Sequence, residues 1–259
     1  MKNEMAYFER RFSEALSGSV VPMDSVLHHV GAVAGKRLRP RLVFLSAQLF
    51  GEVNESTWRT ALYVELLHTA TLIHDDVVDE SDMRRGQASV NARWNNRVAV
   101  LAGDYLLAKA MMLLSNPEDH LILKEMLDTT LAMSEGEVMQ SEAWNTESGE
   151  QKTGNKERYL EIITRKTAML FRACCVGGAL SVNSSLPTAH SSLLTDFGLH
   201  FGRVFQMRDD ILDNDAPETT ALAKQLLPEY LDHALNALDA LEPYVKNKEV
   251  LSSLRAWIS

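Results

Sequence analysis

The stretch that decides the fold is Ala61-Leu-Tyr-Val-Glu-Leu-Leu-His-Thr-Ala-Thr-Leu-Ile-His-Asp-Asp-Val-Val-Asp79. It holds neither glycine nor proline, and its apolar residues recur at the spacing of a helix face. Similar stretches run over about 38–50, 97–115, 119–141, 156–183, 188–213 and 219–241. Breakers fall between them at Gly51, Gly86, Pro117, Gly149 with Gly154, Pro187 and Pro217. No strand hairpin and no glycine-rich phosphate loop is legible. The polar run Asn145-Thr-Glu-Ser-Gly-Glu-Gln-Lys-Thr-Gly-Asn155 interrupts the helical array and is too short to join domains. The pattern predicts an all-α chain, a helical bundle forming one domain over residues 1–259.

The deciding stretch ends on Asp75, Asp76 and Asp79, and the same spacing returns in Met207-Arg-Asp-Asp-Ile-Leu-Asp213 as Asp209, Asp210 and Asp213. On a helix the first and last carboxylates of each cluster share a face, with the middle one at its edge. Crowded carboxylates repel one another, and Leu72, Ile73, Val77 and Val78 make the surroundings of the first cluster apolar. Such a group calls for a cation. Hard oxygen ligands favour Mg²⁺, which is held by a few carboxylates plus substrate phosphates. The spacing therefore points to a diphosphate gripped through Mg²⁺ by two facing helices. One such cluster alone is ordinarily a solvated helix face; the second copy argues against that here. Neither cluster has the glycine and closing glutamate of a calcium-binding loop.

Composition narrows the classes. Hydrophobic residues make up 46% of the 259, enough for a sizeable core. The net charge of −9 argues against a nucleic-acid backbone as partner, which wants a basic field. Metal ions and a few placed basic residues can still invert the sign locally. Cys174 and Cys175 are adjacent, so they read as small buried residues and fit a reducing, cytoplasmic compartment. The first ten residues are charged, without the apolar block of a signal peptide, and no apolar run approaches a membrane span.

Basic residues fall in two groups. Gly35-Lys-Arg-Leu-Arg-Pro-Arg41 offers Lys36, Arg37, Arg39 and Arg41 just before a helix, and Arg84 and Arg85 follow the first aspartates. A basic run is ordinarily surface. In an acidic chain, a tight group at a helix start is a candidate anion grip. His68 stands two turns before Asp75, where a histidine is more often structural than a ligand.

Taken together, the chain resembles the trans-isoprenyl diphosphate synthases, in particular their long-chain, octaprenyl-like branch. The resemblance is carried by Gly35-Lys-Arg-Leu-Arg-Pro, by Leu67-His-Thr-Ala-Thr-Leu-Ile-His-Asp-Asp-Val-Val-Asp-Glu-Ser-Asp-Met-Arg-Arg-Gly, by Gly103-Asp-Tyr-Leu-Leu-Ala, by Glu135-Gly-Glu-Val-Met-Gln, by Lys166-Thr-Ala and by Phe205-Gln-Met-Arg-Asp-Asp-Ile-Leu-Asp. It spans roughly residues 30–215 in the family's order. It implies a helical prenyltransferase fold around a central cavity, a homodimer, and dependence on Mg²⁺, with three ions when substrate is bound. The implied reaction is head-to-tail elongation. An allylic diphosphate such as farnesyl diphosphate loses pyrophosphate, the double bond of isopentenyl diphosphate attacks the cation, and a proton leaves. Octaprenyl diphosphate for a quinone side chain is the implied product, a membrane-soluble one.

The resemblance also implies roles. Asp75, Asp79 and Asp209 would hold metal, with Asp76, Asp210 and Asp213 supporting. Arg84 and Lys166 match positions that contact the allylic diphosphate. Lys36, Arg39, His68 and Arg85 match those that hold isopentenyl diphosphate, which must not ionise and is gripped without metal. Thr167 and Gln206 match positions whose oxygens face the cation. Released pyrophosphate is the family's usual proton acceptor.

Product length follows from helix geometry. One turn rises about 5.4 Å, close to one extended isoprene unit, so the tail should run along the helix of Asp75 towards its start. Ala70 and Thr71, one turn back, are small where short-chain synthases place bulky aromatics, so elongation should continue. Leu66 and Leu67 form the next floor, with Met111 and Met112 on a neighbouring helix. After Asp213 the pattern departs from the family: Asn214-Asp-Ala-Pro-Glu-Thr-Thr-Ala-Leu-Ala-Lys leads almost directly into a helix, without the expected Gly-, Lys- and Asp-rich loop. Three alternatives stay open: a shorter-chain geranylgeranyl or farnesyl diphosphate synthase, a subunit of a heteromeric synthase, and a class I terpene cyclase. The second aspartate cluster argues against the cyclase, and retention of all six aspartates argues against the subunit.

Overall fold

The computed structural model describes residues 2–33, 35–145 and 156–259, so most of the polar run, with Gly149 and Gly154, lies outside the described residues. Helices dominate. They are α1 (Lys2–Ala15), α2 (Val21–Gly31), α3 (Leu38–Phe50), α4 (Glu55–Val78), the single turn α5 (Val90–Arg93), α6 (Asn96–Leu113), α7 (His120–Asn145), α8 (Lys156–Ile163), α9 (Met169–Val182), α10 (Thr188–Asp213), α11 (Pro217–Leu241) and α12 (Lys248–Ile258). Between α8 and α9 the chain widens into a π-turn over Thr164–Ala168. No single helix among the described residues is long and apolar enough to cross a membrane.

One feature departs from the sequence reading. A short antiparallel hairpin forms where none was legible, with β1 (Met83–Arg84) paired to β2 (Gln87–Ala88). Its two turn residues, Arg85 (φ 52) and Gly86 (φ 82), are both left-handed, as a type I′ turn requires. Two-residue strands leave no alternation to read, and arginine carries no preference for that backbone region.

The chain falls into two compact units, residues 1–41 with 58–120 and residues 42–57 with 121–259. In the first, Phe8, Leu27, Tyr63, Leu66, Leu67 and Leu106 are fully buried, and Phe8 stacks on Phe12 at 5.7 Å. In the second, α9 is apolar apart from Arg172 and Ser181 and buried along most of its length, as a helix covered on several sides is. Phe171 meets Phe201 edge-on at 5.2 Å, and Phe201 stacks on Phe197 at 5.6 Å. Arg59 reaches the fully buried Asp119 at 2.7 Å in the first unit, and Arg172 reaches Glu125 at 2.6 Å in the second.

Candidate active site

In the first unit, α4 delivers its aspartates at its C-terminal end. The Asp79 amide donates to the Asp75 carbonyl at 2.8 Å, which fixes the two side chains one turn apart. The helix then stops on a left-handed residue, Glu80 (φ 50). The Glu80 amide donates to the Val77 carbonyl at 3.4 Å, and the Ser81 amide to the Asp76 carbonyl at 2.9 Å, the two bonds of a Schellman cap. Asn91 Nδ2 also donates to the carbonyls of Asp76 (3.1 Å) and Ser81 (3.0 Å). Asp79 is exposed and Asp75 half-buried, whereas Asp76 is buried. The Asp76 carboxylate accepts from Arg84 Nε at 2.7 Å and from Arg84 Nη2. Burial pushes its carboxyl above the ordinary range; Arg84 offsets part of that, and Asp79 adds to it.

The second cluster repeats the arrangement at the end of α10. Asn214 caps that helix in the left-handed region (φ 51), its amide donating to the Asp210 carbonyl at 3.3 Å. Asp213 is exposed and Asp209 half-buried. The middle carboxylate is again held by protein: Asp210 Oδ2 accepts from the Tyr159 hydroxyl at 2.7 Å, and Oδ1 accepts from Gln206 Nε2 at 2.9 Å. Gln206 Oε1 in turn accepts from Thr167 Oγ1 at 2.8 Å. Thr167 lies on the π-turn beside Lys166, and π-bulges inside helices are frequent at functional sites. Lys166 Nζ stands 2.7 Å from Glu137 Oε2. Gly136 lets α7 approach, since a Cβ there would sit 2.7 Å from the Lys166 amide nitrogen. Tyr159 and Glu137 are partners of candidate residues that the sequence reading did not single out for a role.

The basic candidates of the first unit converge on His68. Burial, then the positive potential of Arg39, Arg85, Arg84 and Arg37, pushes its imidazole well below the usual histidine range, so it is neutral at pH 7. Lys36 and Arg85 are exposed, and Arg39 is half-buried. Arg37 differs from the other members of its run: it is buried and bound to Glu9 and Glu65. The neighbouring His74 holds α6 against α4. Its Nε2 donates to the Val100 carbonyl at 3.2 Å, and a Cβ on Gly103 would lie 2.1 Å from that nitrogen.

The chain-length candidates separate. Leu66, Leu67 and Ala70 are fully buried, and Thr71 is half-buried with its hydroxyl donating to the His68 carbonyl at 2.9 Å. Met111 and Met112 differ from Leu66 and Leu67 in exposure. Met112 is 74% exposed and Met111 38%, because the positions of α6 in step with Gly103, namely Ala99, Leu106 and Ala110, are the buried ones.

Comparison with known proteins identifies the family. The polyprenyl synthetase family model matches residues 21–228. The chain belongs to the polyprenyl synthetase family. Its relatives in that family include the all-trans-nonaprenyl-diphosphate synthase (geranyl-diphosphate specific) of Rhodobacter capsulatus, 40% identical over 81% of this chain and 62% of that protein. The octaprenyl diphosphate synthase of Haemophilus influenzae is also 40% identical, over 74% of this chain and 56% of its own length. The chain thus spans about three-fifths of the length of the curated relatives it matches. Among solved structures, a polyprenyl synthase from Caulobacter crescentus, complexed with calcium and isoprenyl diphosphate, superposes with a TM-score of 0.81 at 28% identity, covering 99% of this chain and 94% of that one. A geranylgeranyl pyrophosphate synthase at 21% identity shares the fold, with a TM-score of 0.84 over 99% of this chain and 96% of its own.

Both acidic groups of this family member lie where a helix presents its negative pole. Carboxylates at a helix C-terminus face the partial charge of unsatisfied carbonyls, and each group adds its own mutual repulsion. Among the described residues, no three His, Cys, Asp or Glu side chains stand together as a metal cage.

Proposed function

We propose that the protein, as one catalytic domain, is a trans-polyprenyl diphosphate synthase. In this reading it joins isopentenyl diphosphate head-to-tail onto an allylic diphosphate, repeatedly, to make a long-chain product in the octaprenyl range. The observation that carries the reading is the repeated design of the two acidic groups. Each ends a long helix, keeps its outer carboxylates one turn apart and binds its middle carboxylate to protein. Neither a cyclase nor an inert subunit calls for that repetition.

The donor set fits Mg²⁺. The outer carboxylates are hard oxygen donors at a negative helix pole, and Mg²⁺ takes one or two carboxylates, waters and substrate phosphates rather than a closed protein cage. Asp75, Asp79 and Asp209 would hold it, with Asp213 in a supporting role. When bound, the metal supplies Lewis-acid stabilisation of the departing pyrophosphate. The chain's own groups do the rest. Arg84 and Lys166 bind the allylic diphosphate; both already carry a carboxylate partner, so the substrate must share or displace Asp76 and Glu137. Lys36, Arg39, His68 and Arg85 bind isopentenyl diphosphate, and neutral His68 contributes a hydrogen bond rather than a charge. Thr167 and Gln206 turn oxygen atoms towards the allylic carbon, fixed by their mutual bond and by Asp210. The C–O bond of the allylic substrate breaks, the new C–C bond forms from the isopentenyl double bond, and the released pyrophosphate takes the proton.

A homodimer accompanies this reading. Leu101 and Met112 on α6, and Leu127, Leu131 and Val138 on α7, are exposed apolar side chains of the kind a second copy covers; the mass of the protein in solution tests it. The function itself is tested by pyrophosphate release from isopentenyl diphosphate plus farnesyl diphosphate, with and without Mg²⁺, followed by product sizing. Release that needs both substrates and Mg²⁺ and yields elongated products is expected. Consumption of farnesyl diphosphate alone would identify a cyclase, and no turnover would identify a subunit.

A further inference from the structure

We infer that Glu65 and Glu9 are positioning residues for the isopentenyl diphosphate subsite, acting through Arg37. The inference rests on the proposed condensing function and deepens it. Arg37 sits inside the basic run yet is 8% exposed. Its Nε and Nη2 donate to the two oxygens of Glu9 at 2.8 and 3.1 Å, and its Nη1 donates to Glu65 Oε1 at 2.7 Å. The guanidinium also lies 4.4 Å over the Phe12 ring. Glu65 is itself buried, with 4% of its side chain exposed.

A buried ion pair is a weak stability device, because desolvation consumes most of the attraction and apolar residues would fill the space as well. What the triad does supply is geometry. Arg37 adopts φ 51, a backbone state unfavourable for any residue but glycine. Its carbonyl accepts from the Arg41 amide at 3.2 Å, which opens α3. The left-handed turn sends Arg37 inward and leaves Lys36 exposed beside it. Glu65 lies three residues before His68 on α4, so the two are neighbours on the helix surface. The tip of the hairpin rests on the same turn: a Cβ on Gly35 would lie 2.9 Å from Arg85 Nη1. One buried cation therefore ties the segment that carries Lys36 and Arg39 to the helix that carries His68, and Arg85 packs against Gly35, two residues before that cation.

The test compares Glu65→Gln and Glu9→Gln with wild type. Glu9 is 45% exposed and belongs to α1, so its variant folds even where loss of the buried partner does not. The KM for isopentenyl diphosphate is expected to rise about tenfold, the loss typical of one charged hydrogen bond. The KM for farnesyl diphosphate and the kcat at saturation should stay within about twofold, because an interaction shared by ground and transition states moves KM alone. Calorimetric binding of isopentenyl diphosphate without metal should weaken in parallel. An active wild type whose Glu9→Gln variant keeps its isopentenyl KM, or loses affinity for both substrates alike, overturns the inference and leaves the function standing. A wild type that condenses nothing overturns both.

Discussion

The Tyr159 hydroxyl donates to Asp210 Oδ2 at 2.7 Å, doing for the second acidic group what Arg84 does for Asp76 in the first. In both groups the central carboxylate is a strut, and in the proposed reading the outer ones take the cation. Substitutions should therefore divide by position. Asp79→Ala and Asp213→Ala, at exposed sites, should raise the Mg²⁺ concentration needed for half-maximal pyrophosphate release while leaving the thermal midpoint near wild type. Asp76→Ala leaves Arg84 without its carboxylate and should cost roughly 1–3 kcal/mol of stability. Tyr159→Phe should cost about 1 kcal/mol. A metal titration run beside thermal unfolding checks the division; equal effects at all positions would refute it.

Gly136 stands against the π-turn so closely that a methyl group would lie 2.7 Å from the Lys166 nitrogen and 2.8 Å from Arg165 Cβ. The first obstacle is backbone, so a helix or the turn must shift. Gly136→Ala should lose about 1–3 kcal/mol of stability, the ordinary cost of overpacking. Its kcat should fall more than that loss explains, by about a hundredfold, because small displacements of positioning groups are amplified in rate. Steady-state kinetics at a temperature where the variant is fully folded separates the two effects. A variant with reduced stability and wild-type kcat would show that the π-turn does not position the chemistry.

The helices that carry this machinery are legible in the sequence because their apolar residues keep helical period over long stretches without breakers. The expected 38–50, 188–213 and 219–241 stretches correspond to α3, α10 and α11, the last differing only at its start. The short or more polar α1, α2 and α12 gave no such signal. The local chemistry was less legible. Nothing in the run Gly35–Arg41 distinguishes Arg37, buried on two glutamates, from exposed Lys36, because the difference arises from a left-handed backbone and from partners on α1 and α4. Tyr159 lies 51 residues from Asp210 in sequence, and only tertiary packing joins them. The sharp helix ends after both acidic groups were likewise hidden, since Glu80 adopts a state usually reserved for glycine.

Stability should fall on mild acidification. His200 lies between α10 and α11, beside Arg203, His233 and the Tyr230 ring. Burial first, then the charges of Arg203 and His233, lowers its pKa to about 4. The unfolded chain takes up this proton near the ordinary value of about 6.5, and the folded chain does so only near 4. Between those values the unfolded state binds more protons, so stability drops as pH falls through that window and is unaffected by this group above it. His68, also lowered by burial and neighbouring cations, acts in the same sense. Urea midpoints at pH 7.5, 6, 5 and 4.5 should decline, and His200→Leu should flatten part of that decline. A midpoint independent of pH across the window would contradict the placement of both histidines.

Chain length offers the last test. Thr71 lies one turn below Asp75, and Ala70 one turn below His74, the residue that meets α6 through Gly103. Both are small, so in the proposed reading neither blocks a tail growing along α4. Ala70 is fully buried, and a phenylalanine there should cost about 1–3 kcal/mol through overpacking. Thr71 is half-buried, so a phenylalanine there should meet less packed surroundings and cost less. Ala70→Phe should shorten the product without abolishing turnover, and Thr71→Phe should do the same at smaller cost in stability. Each turn of α4 advances about 5.4 Å, so a block at this level should stop elongation within a few isoprene units of the primer. Products of the purified variants, made with labelled isopentenyl diphosphate and sized after dephosphorylation, decide the matter. Unchanged lengths in both variants would mean that the tail does not run along α4 and that Leu66 and Leu67, buried further back, are core rather than floor.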